Sequence, residues 1–151
     1  MKNTLDTSDI VNALMADNYA KWSLAAAQAL TEYLEDIEEE CDMEIELDVV
    51  ALRCEYSEYE SLDEWAQSYF CADQLDELLG TVDYEAEKIQ ELDRADTLAA
   101  AGEHGDAVQI RGWYEDDEIE REEHKETTLR AYIAEHGQLI EFSGGIIVSA
   151  F

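Results

Sequence analysis

The chain has 151 residues, of which 39 are acidic and nine are basic, so its formal net charge is -30 at pH 7. Because so negative a surface repels nucleic acid and anionic lipid, we do not expect direct binding of DNA, RNA or a membrane, and a cationic partner is favoured instead. At 46% hydrophobic residues the chain is apolar enough to bury a core, which predicts a folded protein rather than an acidic disordered tail.

The length and the lack of a Pro-, Gly- or Ser-rich linker predict a single domain over residues 1–151. The first ten residues lack the basic and apolar regions of a secretory signal, and no stretch approaches the ~18 apolar residues of a membrane span. We therefore expect a cytoplasmic protein. Cys41, Cys54 and Cys71 are odd in number and lack CxxC spacing, so buried free thiols are expected rather than disulfides or a zinc site.

The first predicted elements are a short helix over residues 8–17 and a longer helix over residues 18–40. In the longer helix, Leu30, Leu34 and Ile37 recur at spacings of three and four. This period places the apolar side chains on one face and leaves most acidic side chains on the other.

The pattern then changes to an alternation of period two, which predicts a first strand over residues 47–56. Ser61 followed three residues later by Glu64 has the form of a capping box and predicts a helix over residues 61–70. A second short helix is predicted over residues 73–79.

Residues 83–101 are predicted to form another helix that ends near Gly102 or Gly105. Residues 106–125 are ambiguous, because they fit a strand, the start of a helix or a frayed charge run. A further helix is predicted from Thr127 or Thr128 to His136, with Gly137 as its end.

The last residues predict a β-hairpin, because two apolar runs, 138–142 and 145–151, flank a Gly-containing loop. Together with the strand at 47–56, they predict a mostly antiparallel sheet of three strands with amphipathic helices packed mainly on one face. The predicted fold class is therefore α+β.

The segment Glu32–Glu64 contains fifteen acidic residues and one basic residue. In the predicted helix, Asp36 forms like-charge pairs at i,i+4 with Glu32 and Glu40, and each pair costs roughly 0.2–0.5 kcal/mol. Because these residues weaken the helix, we predict that they serve a partner. The predicted partner-binding residues are Glu32, Glu35, Asp36, Glu38, Glu39, Glu40, Asp42, Glu58, Glu60, Asp63 and Glu64.

Carboxylates on successive helical turns repeat about every 5.4 Å, and B-DNA carries about one charge per 1.7 Å of its axis. These residues are therefore predicted to act as phosphate surrogates that face Lys or Arg side chains. Two other interpretations stay open: a solvated acidic face, and adaptation to high salt. Against the second, Glu exceeds Asp by 24 to 15 and large aromatic residues are plentiful.

Catalytic and metal-binding motifs are missing from the sequence. His104, His124 and His136 form no HExxH motif, and neither GxSxG nor a phosphate-binding Gly-rich loop is present. We expect surface histidines, no enzymatic activity, and no cofactor or metal. The aromatic residues beside the acidic segment are predicted to pack in the core, although Tyr59 or Trp65 would serve as an interface anchor if exposed.

Two stretches, DVVALRCEYSEYESLDEWAQSYF and LIEFSGGIIVSAF, together resemble a group of short phage and mobile-element proteins of unassigned function. In charge and size, the chain also resembles DNA-mimic inhibitors of phages and plasmids. That likeness implies stoichiometric inhibition of a host restriction enzyme or CRISPR effector in the host cytoplasm, but it carries no motif from which residues are transferred.

The leading hypothesis is an acidic DNA mimic that binds the nucleic-acid-binding surface of a basic host protein. The alternative is a non-inhibitory interaction module or accessory protein that docks a basic partner elsewhere on its surface. Whether two copies associate as a homodimer to form a longer mimic stays open at this point.

Overall fold

The computed structural model describes residues 6–151, apart from the side chains at positions 81–83, 85, 115 and 116. The described residues form seven helices and a three-stranded antiparallel sheet, which confirms the predicted α+β class. In chain order the elements are α1 (Thr7–Met15), α2 (Leu24–Cys41), α3 (Val49–Glu55), β1 (Tyr56–Tyr59), α4 (Leu62–Tyr69), α5 (Ala72–Leu79), α6 (Thr81–Ala100), α7 (His104–His136), β2 (Leu139–Phe142) and β3 (Gly145–Ser149).

The chain divides into two compact units. The first unit comprises the residues up to Trp65 together with Arg130–Phe151, and the second comprises Ala66–Leu129. The expectation of a single domain over residues 1–151 stays a prediction. No helix among residues 6–151 combines the length and the apolar character that a membrane crossing requires.

The sheet of the first unit has the strand order β1-β3-β2, with β3 in the centre and both pairings antiparallel. Ile146, Ile147 and Val148 are all buried, and because successive side chains point to opposite faces, both faces of β3 are covered. The turn before β3 uses Gly144 at φ 125°, a conformation that side chains disfavour. At Gly145, a β-carbon would collide with the carbonyl oxygen of Tyr59, so this position also requires glycine. The strands β2 and β3 on either side of the turn confirm the predicted hairpin.

The core of the first unit lies where α1 and α2 pack against each other and α2 packs against the sheet. Leu14 and Leu30 are fully buried there with Ile147. Ala26 and Ala27 are also fully buried, and their small side chains allow the other residues of this core to lie close to the first turns of α2. The packing therefore fixes one face of α2 inward, as its apolar period predicts.

The predicted strand at 47–56 is wrong, because residues 49–55 form α3 and the strand begins only at Tyr56. The Asp48 carboxylate accepts hydrogen bonds from the N–H groups of Val50 and Ala51, each at 3.0 Å, and this cap starts a helix. The two buried residues of the segment, Leu52 and Tyr56, are four positions apart. This spacing fits the period of a helix as well as the alternation of a strand.

Two other predicted boundaries are corrected. The long helix begins at Leu24 rather than residue 18, because Ser23 caps it. The helix expected to start at Thr127 or Thr128 is the last part of α7, and both hydroxyls donate to carbonyl groups four residues back, as they do inside a helix. Gly137 follows the last residue of α7, as predicted.

The other helices largely confirm the prediction: α1, α4, α5 and α6 match the expected helices to within two residues at each end. At the start of α4, the Glu64 N–H donates to Ser61 Oγ at 3.2 Å, and the Glu64 carboxylate accepts from the N–H of Glu60. The expectation of buried thiols is wrong, because Cys41, Cys54 and Cys71 are all exposed on short polar junctions or helix ends.

The predicted aromatic core is confirmed in part. Tyr56 and Trp65 are buried, and the Trp65 ring lies 6.3 Å from the rings of both Tyr132 and Phe151. Tyr69 is instead exposed. Trp65 therefore belongs to the core of the first unit and is not an interface anchor.

In the second unit, α6 and α7 run antiparallel and are joined mainly by long side chains. Lys88 pairs with Glu118, Arg111 pairs with Asp96, and the Arg121 guanidinium lies 3.5 Å from the centroid of the Tyr84 ring. Along α6 the contacts run from Tyr84 through Lys88 to Asp96. Their partners on α7 run backwards, from Arg121 through Glu118 to Arg111, as expected for two antiparallel helices. Residues 106–125, which the sequence left ambiguous, are thus helical throughout.

Candidate partner-binding surface

The α2 helix is held at its N-terminal end by two side chains. Ser23 caps the helix by accepting a hydrogen bond from the N–H of Ala26 at 3.1 Å. The Glu58 carboxylate, on β1, accepts from the N–H of Ser23 at 2.9 Å and from its hydroxyl at 2.6 Å. Glu58 therefore fixes the start of α2 to the sheet.

The outward face of α2 presents a series of carboxylates. Glu32, Asp36, Glu39 and Glu40 are exposed, and their spacings of three, four and eight place them on neighbouring turns of one side. From Glu32 to Asp42 there are seven carboxylates in ten residue steps, or about 15 Å at 1.5 Å per residue. This is about one charge per 2 Å, close to the ~1.7 Å of B-DNA.

A tight turn after α2 folds the chain back against the helix end. Asp42 adopts the left-handed conformation with φ 50°, and the N–H groups of Asp42 and Met43 both donate to the carbonyl oxygen of Glu38. The Glu38 carboxylate also accepts a hydrogen bond from the N–H of Ile45. Glu38 therefore organises the turn as well as adding charge.

A shallow open depression lies between the end of α2 and this turn. Its lining consists of five acidic residues and one exposed methionine: Glu35, Glu38, Glu39, Asp42, Glu44 and Met43. The Met43 side chain is 61% exposed and provides the apolar part of this lining. The carboxylate of Glu35 additionally accepts a hydrogen bond from the Thr7 hydroxyl at 2.7 Å, which ties it to α1.

The structure brings seven of the predicted residues together on α2 and its turn, and it places the other four elsewhere. Glu58 holds Ser23 and therefore lies at the opposite end of α2 from Glu39, about 24 Å away along the helix axis. Glu60, Asp63 and Glu64 lie at the start of α4, where Glu64 acts as a cap.

Sequence reasoning missed Glu44, which lines the depression. Residues 43–48 have no regular structure, so neither a helical nor a strand period applies to them. The one signal in the sequence was the acidic composition of residues 43–48. We define the α2 acidic surface as Glu32, Glu35, Asp36, Glu38, Glu39, Glu40, Asp42 and Glu44.

No basic residue occurs between Trp22 and Leu52, so the α2 acidic surface has no cation from its own segment. Arg53, the next basic residue along the chain, is engaged elsewhere. Its guanidinium lies 3.1 Å from the Asp17 carboxylate and 4.6 Å from the Tyr19 ring centroid. Residues 22–52 thus supply no basic side chain of their own to pair with these carboxylates.

On the inward side of α2, Tyr33 meets Tyr56 edge to face, with ring centroids 6.2 Å apart. Burial, with smaller contributions from the neighbouring Tyr33 and Glu55, raises the pKa of Tyr56 to about 12. The Tyr56 phenol is therefore neutral over the physiological range of pH.

The three histidines are exposed, as expected. His136 stacks on Tyr132 with ring centroids 4.2 Å apart, and its Nδ1 lies 2.8 Å from the Tyr132 carbonyl oxygen. Across residues 6–151, in the side chains that are described, no three His, Cys, Asp or Glu residues converge closely enough to hold a metal ion.

Comparison of the chain with protein-family models, with curated proteins and with solved structures finds no match.

Proposed function

We propose that this chain is a stoichiometric inhibitor that binds the nucleic-acid-binding surface of a basic protein through the α2 acidic surface. In this proposal, the carboxylates occupy the positions of phosphate groups and face Lys or Arg side chains of the partner. The protein binds no nucleic acid itself, and it carries out no chemistry on its partner.

The observation that carries the proposal is the linear density of carboxylates on α2, in a segment that contains no basic residue. Seven acids within about 15 Å approach the charge spacing of B-DNA, and no base interrupts the segment. The acidic end of α2 is tied to α1 by the hydrogen bond from Thr7 to Glu35 and is closed by the turn that bonds to Glu38, which lowers the cost of ordering the carboxylates for a partner.

Physical chemistry gives such a complex two properties. Association is fast, because a surface of one sign steers an oppositely charged partner. Affinity falls steeply with salt, because the partner's basic groove regains its counterions; about seven contacts predict a loss of about a hundredfold or more between about 50 and about 200 mM salt.

The class of partner comes from the resemblance to DNA-mimic inhibitors alone. That resemblance favours a host restriction enzyme or CRISPR effector, whose nucleic-acid groove is lined with Lys and Arg. A chain of this net charge in the host cytoplasm is suited to compete for such a groove.

The test begins with the full chain immobilised and exposed to bacterial lysate, with bound protein eluted by a NaCl gradient and identified by mass. The purified partner is then mixed with the chain, and duplex DNA is titrated in. We expect the DNA to displace the chain and the chain to inhibit the partner's nuclease activity at about one to one. Retention of the complex at saturating DNA would instead support a non-inhibitory module.

A charge-matched pair of variants locates the surface. The first reverses Glu32, Asp36, Glu39 and Glu40 to Lys, and the second reverses Glu77, Asp93, Glu123 and Glu135, which are equally exposed but lie outside α2. Both variants have the same net charge. We expect the first to lose inhibition and the second to keep most of it; equal loss in both would mean that only total charge matters.

A further inference from the structure

The second unit carries an exposed tryptophan. Trp113, on α7, is 79% exposed, whereas the other two tryptophans of the chain, Trp22 and Trp65, are only 5% and 2% exposed. A large aromatic side chain in water forgoes the burial that stabilises the other two. Tryptophan at such a position is typical of a binding hot spot.

Trp113 is part of a depression lined by aromatic rings and carboxylates, and we name this set of residues the α6–α7 aromatic patch: Tyr84, Glu87, Trp113, Tyr114, Asp117 and Glu120. On α7, Trp113, Asp117 and Glu120 follow the i,i+4,i+7 spacing and share one face. Tyr84 and Tyr114 bring the two helices together there, with ring centroids 6.3 Å apart.

The aromatic patch is negatively charged. Its described lining contains three carboxylates, and the one base that contacts a lining residue in the described contacts is Arg121, over the Tyr84 ring. Burial raises the pKa of Tyr114, and the nearby carboxylates of Glu87, Glu91 and Asp117 raise it in the same direction, so the field at this ring is negative. An aromatic surface in such a field attracts a cation that stacks on a ring.

The same helix pair already contains this kind of contact. The Arg121 guanidinium lies over the Tyr84 ring at 3.5 Å, and in the first unit Arg53 lies over Tyr19 at 4.6 Å. A guanidinium is planar and weakly hydrated, so it stacks on aromatic rings more readily than an ammonium group. The chemistry of the patch therefore favours arginine.

We propose that the α6–α7 aromatic patch binds an arginine side chain of a basic partner protein, with the guanidinium stacked on Trp113 and paired with Glu87, Asp117 or Glu120. A second copy of the chain is a poorer occupant, because it would bring like-charged carboxylates together across the contact. The inference does not depend on the α2 acidic surface, which lies in the other unit.

A hexa-arginine peptide in about 0.5 M NaCl is the probe, because salt at this level screens attraction from the rest of the acidic chain. Binding is followed by the anisotropy of a fluorophore on the peptide. Acrylamide quenching reports on the exposed tryptophan, since Trp22 and Trp65 are buried. We expect the peptide to protect Trp113 from acrylamide.

Substitutions then separate stacking from charge. Trp113→Ala is expected to weaken binding about five- to tenfold, while Trp113→Phe, which keeps a ring, retains most of the affinity. Ile119→Ala is the control, since Ile119 is also on α7 and 64% exposed but does not line the patch.

The charge control compares two triple variants of equal net charge. The first neutralises the patch with Glu87→Gln, Asp117→Asn and Glu120→Gln. The second neutralises Glu77, Asp93 and Glu123, which are exposed in the same unit and lie outside the patch. Only the first should weaken binding.

Three results would overturn the inference. The first is equal affinity of Trp113→Ala and Ile119→Ala, and the second is equal affinity of the two triple variants. The third is protection of Trp113 that follows protein concentration instead of peptide, with dimers in analytical ultracentrifugation, because that would assign the patch to a second copy. Folding of each variant is checked by circular dichroism before titration.

Discussion

The α2 segment and the α6–α7 helix pair are both acidic, but they use their acids differently. Residues 22–52 contain ten acidic residues and no basic residue, whereas residues 66–129 contain nineteen acidic residues and five basic ones. In the helix pair, Lys88, Arg94, Arg111 and Lys125 each pair with a carboxylate. Part of the charge there is neutralised within the unit, whereas residues 22–52 contain no base that could neutralise their own acids.

The difference teaches that net charge alone does not locate a binding surface. Exposed ion pairs contribute little to stability, typically about 0–1 kcal/mol each, but they make the local electrostatic potential less negative. A run of carboxylates in a segment without bases makes the local potential more negative, and the repulsion between the carboxylates costs stability. The α2 acidic surface is distinguished by the absence of a basic residue from its own segment, and three predictions follow from this difference.

The largest expected effect concerns Glu58, an acid of the first unit that has a structural role. Glu58→Ala removes two hydrogen bonds to Ser23 and leaves the capping residue of α2 without its anchor. We expect the free energy of unfolding to fall by about 2 kcal/mol, the usual range for hydrogen bonds to a charged group. Urea denaturation followed by circular dichroism measures this change.

The control is Glu60→Ala, two residues further on and exposed. It should change the free energy of unfolding by less than about 0.5 kcal/mol, as surface substitutions usually do. Equal effects of the two substitutions would show that Glu58 contributes charge and nothing more. Glu58 would then belong with the carboxylates of α2.

The second prediction is a gain in stability within the α2 acidic surface. Asp36→Lys replaces two like-charge pairs, with Glu32 and Glu40, by two attractive pairs at i,i+4. At about 0.2–0.5 kcal/mol for each repulsion lost and each attraction gained, the free energy of unfolding should rise by about 1 kcal/mol. The same substitution should weaken binding to the basic partner.

Asp93→Lys on α6 is the matched control, because Asp93 is exposed and has Ile89 and Thr97 as its i,i+4 neighbours. Its stability should change by less than about 0.5 kcal/mol. If Asp36→Lys gave no gain in low salt, the carboxylates of α2 would not be repelling one another. The stability argument for a binding role would then fail.

The sequence predicted the residues that decide this comparison, and the closing hairpin, better than it predicted the first strand. The period of three and four in α2 located its buried and acidic faces, because a helix converts spacing directly into direction. The strand at 47–56 was wrong because Leu52 and Tyr56 fit both periods, and the Asp48 cap favours the helix. A segment of seven residues is too short for its apolar spacing to distinguish a helix from a strand.

The rest of the candidate site depended on contacts that a linear pattern does not contain. Asp42 takes a left-handed conformation without being glycine, and the resulting turn brings Glu44 beside Glu35. The bonds from Glu58 to Ser23 span 35 positions and join a strand to a helix cap. Likewise, Trp113 lies in the ambiguous stretch 106–125, and the contacts of α7 with α6 are not contained in its linear pattern.

The smallest expected effect uses the tyrosine beneath α2 as a reporter of burial. Because burial raises the folded-state pKa of Tyr56 from about 10 to about 12, folding keeps this phenol protonated where an unfolded chain loses the proton. The stabilisation is complete below about pH 10 and is lost as the pH rises towards 12. Tyr56→Phe removes this linkage, so its alkaline unfolding midpoint, followed by circular dichroism, should lie at higher pH.

Tyr114 in the second unit provides the comparison, since neighbouring carboxylates contribute to its raised pKa. Added salt screens those carboxylates, and it should lower the pKa of Tyr114 in absorbance titrations at about 295 nm. Burial is the largest cause for both phenols, but three carboxylates contribute to the pKa of Tyr114 and only Glu55 contributes to that of Tyr56, so salt should move the titration of Tyr56 less. An equal salt response of the two phenols, assigned with Tyr56→Phe and Tyr114→Phe, would contradict this difference between the two sites.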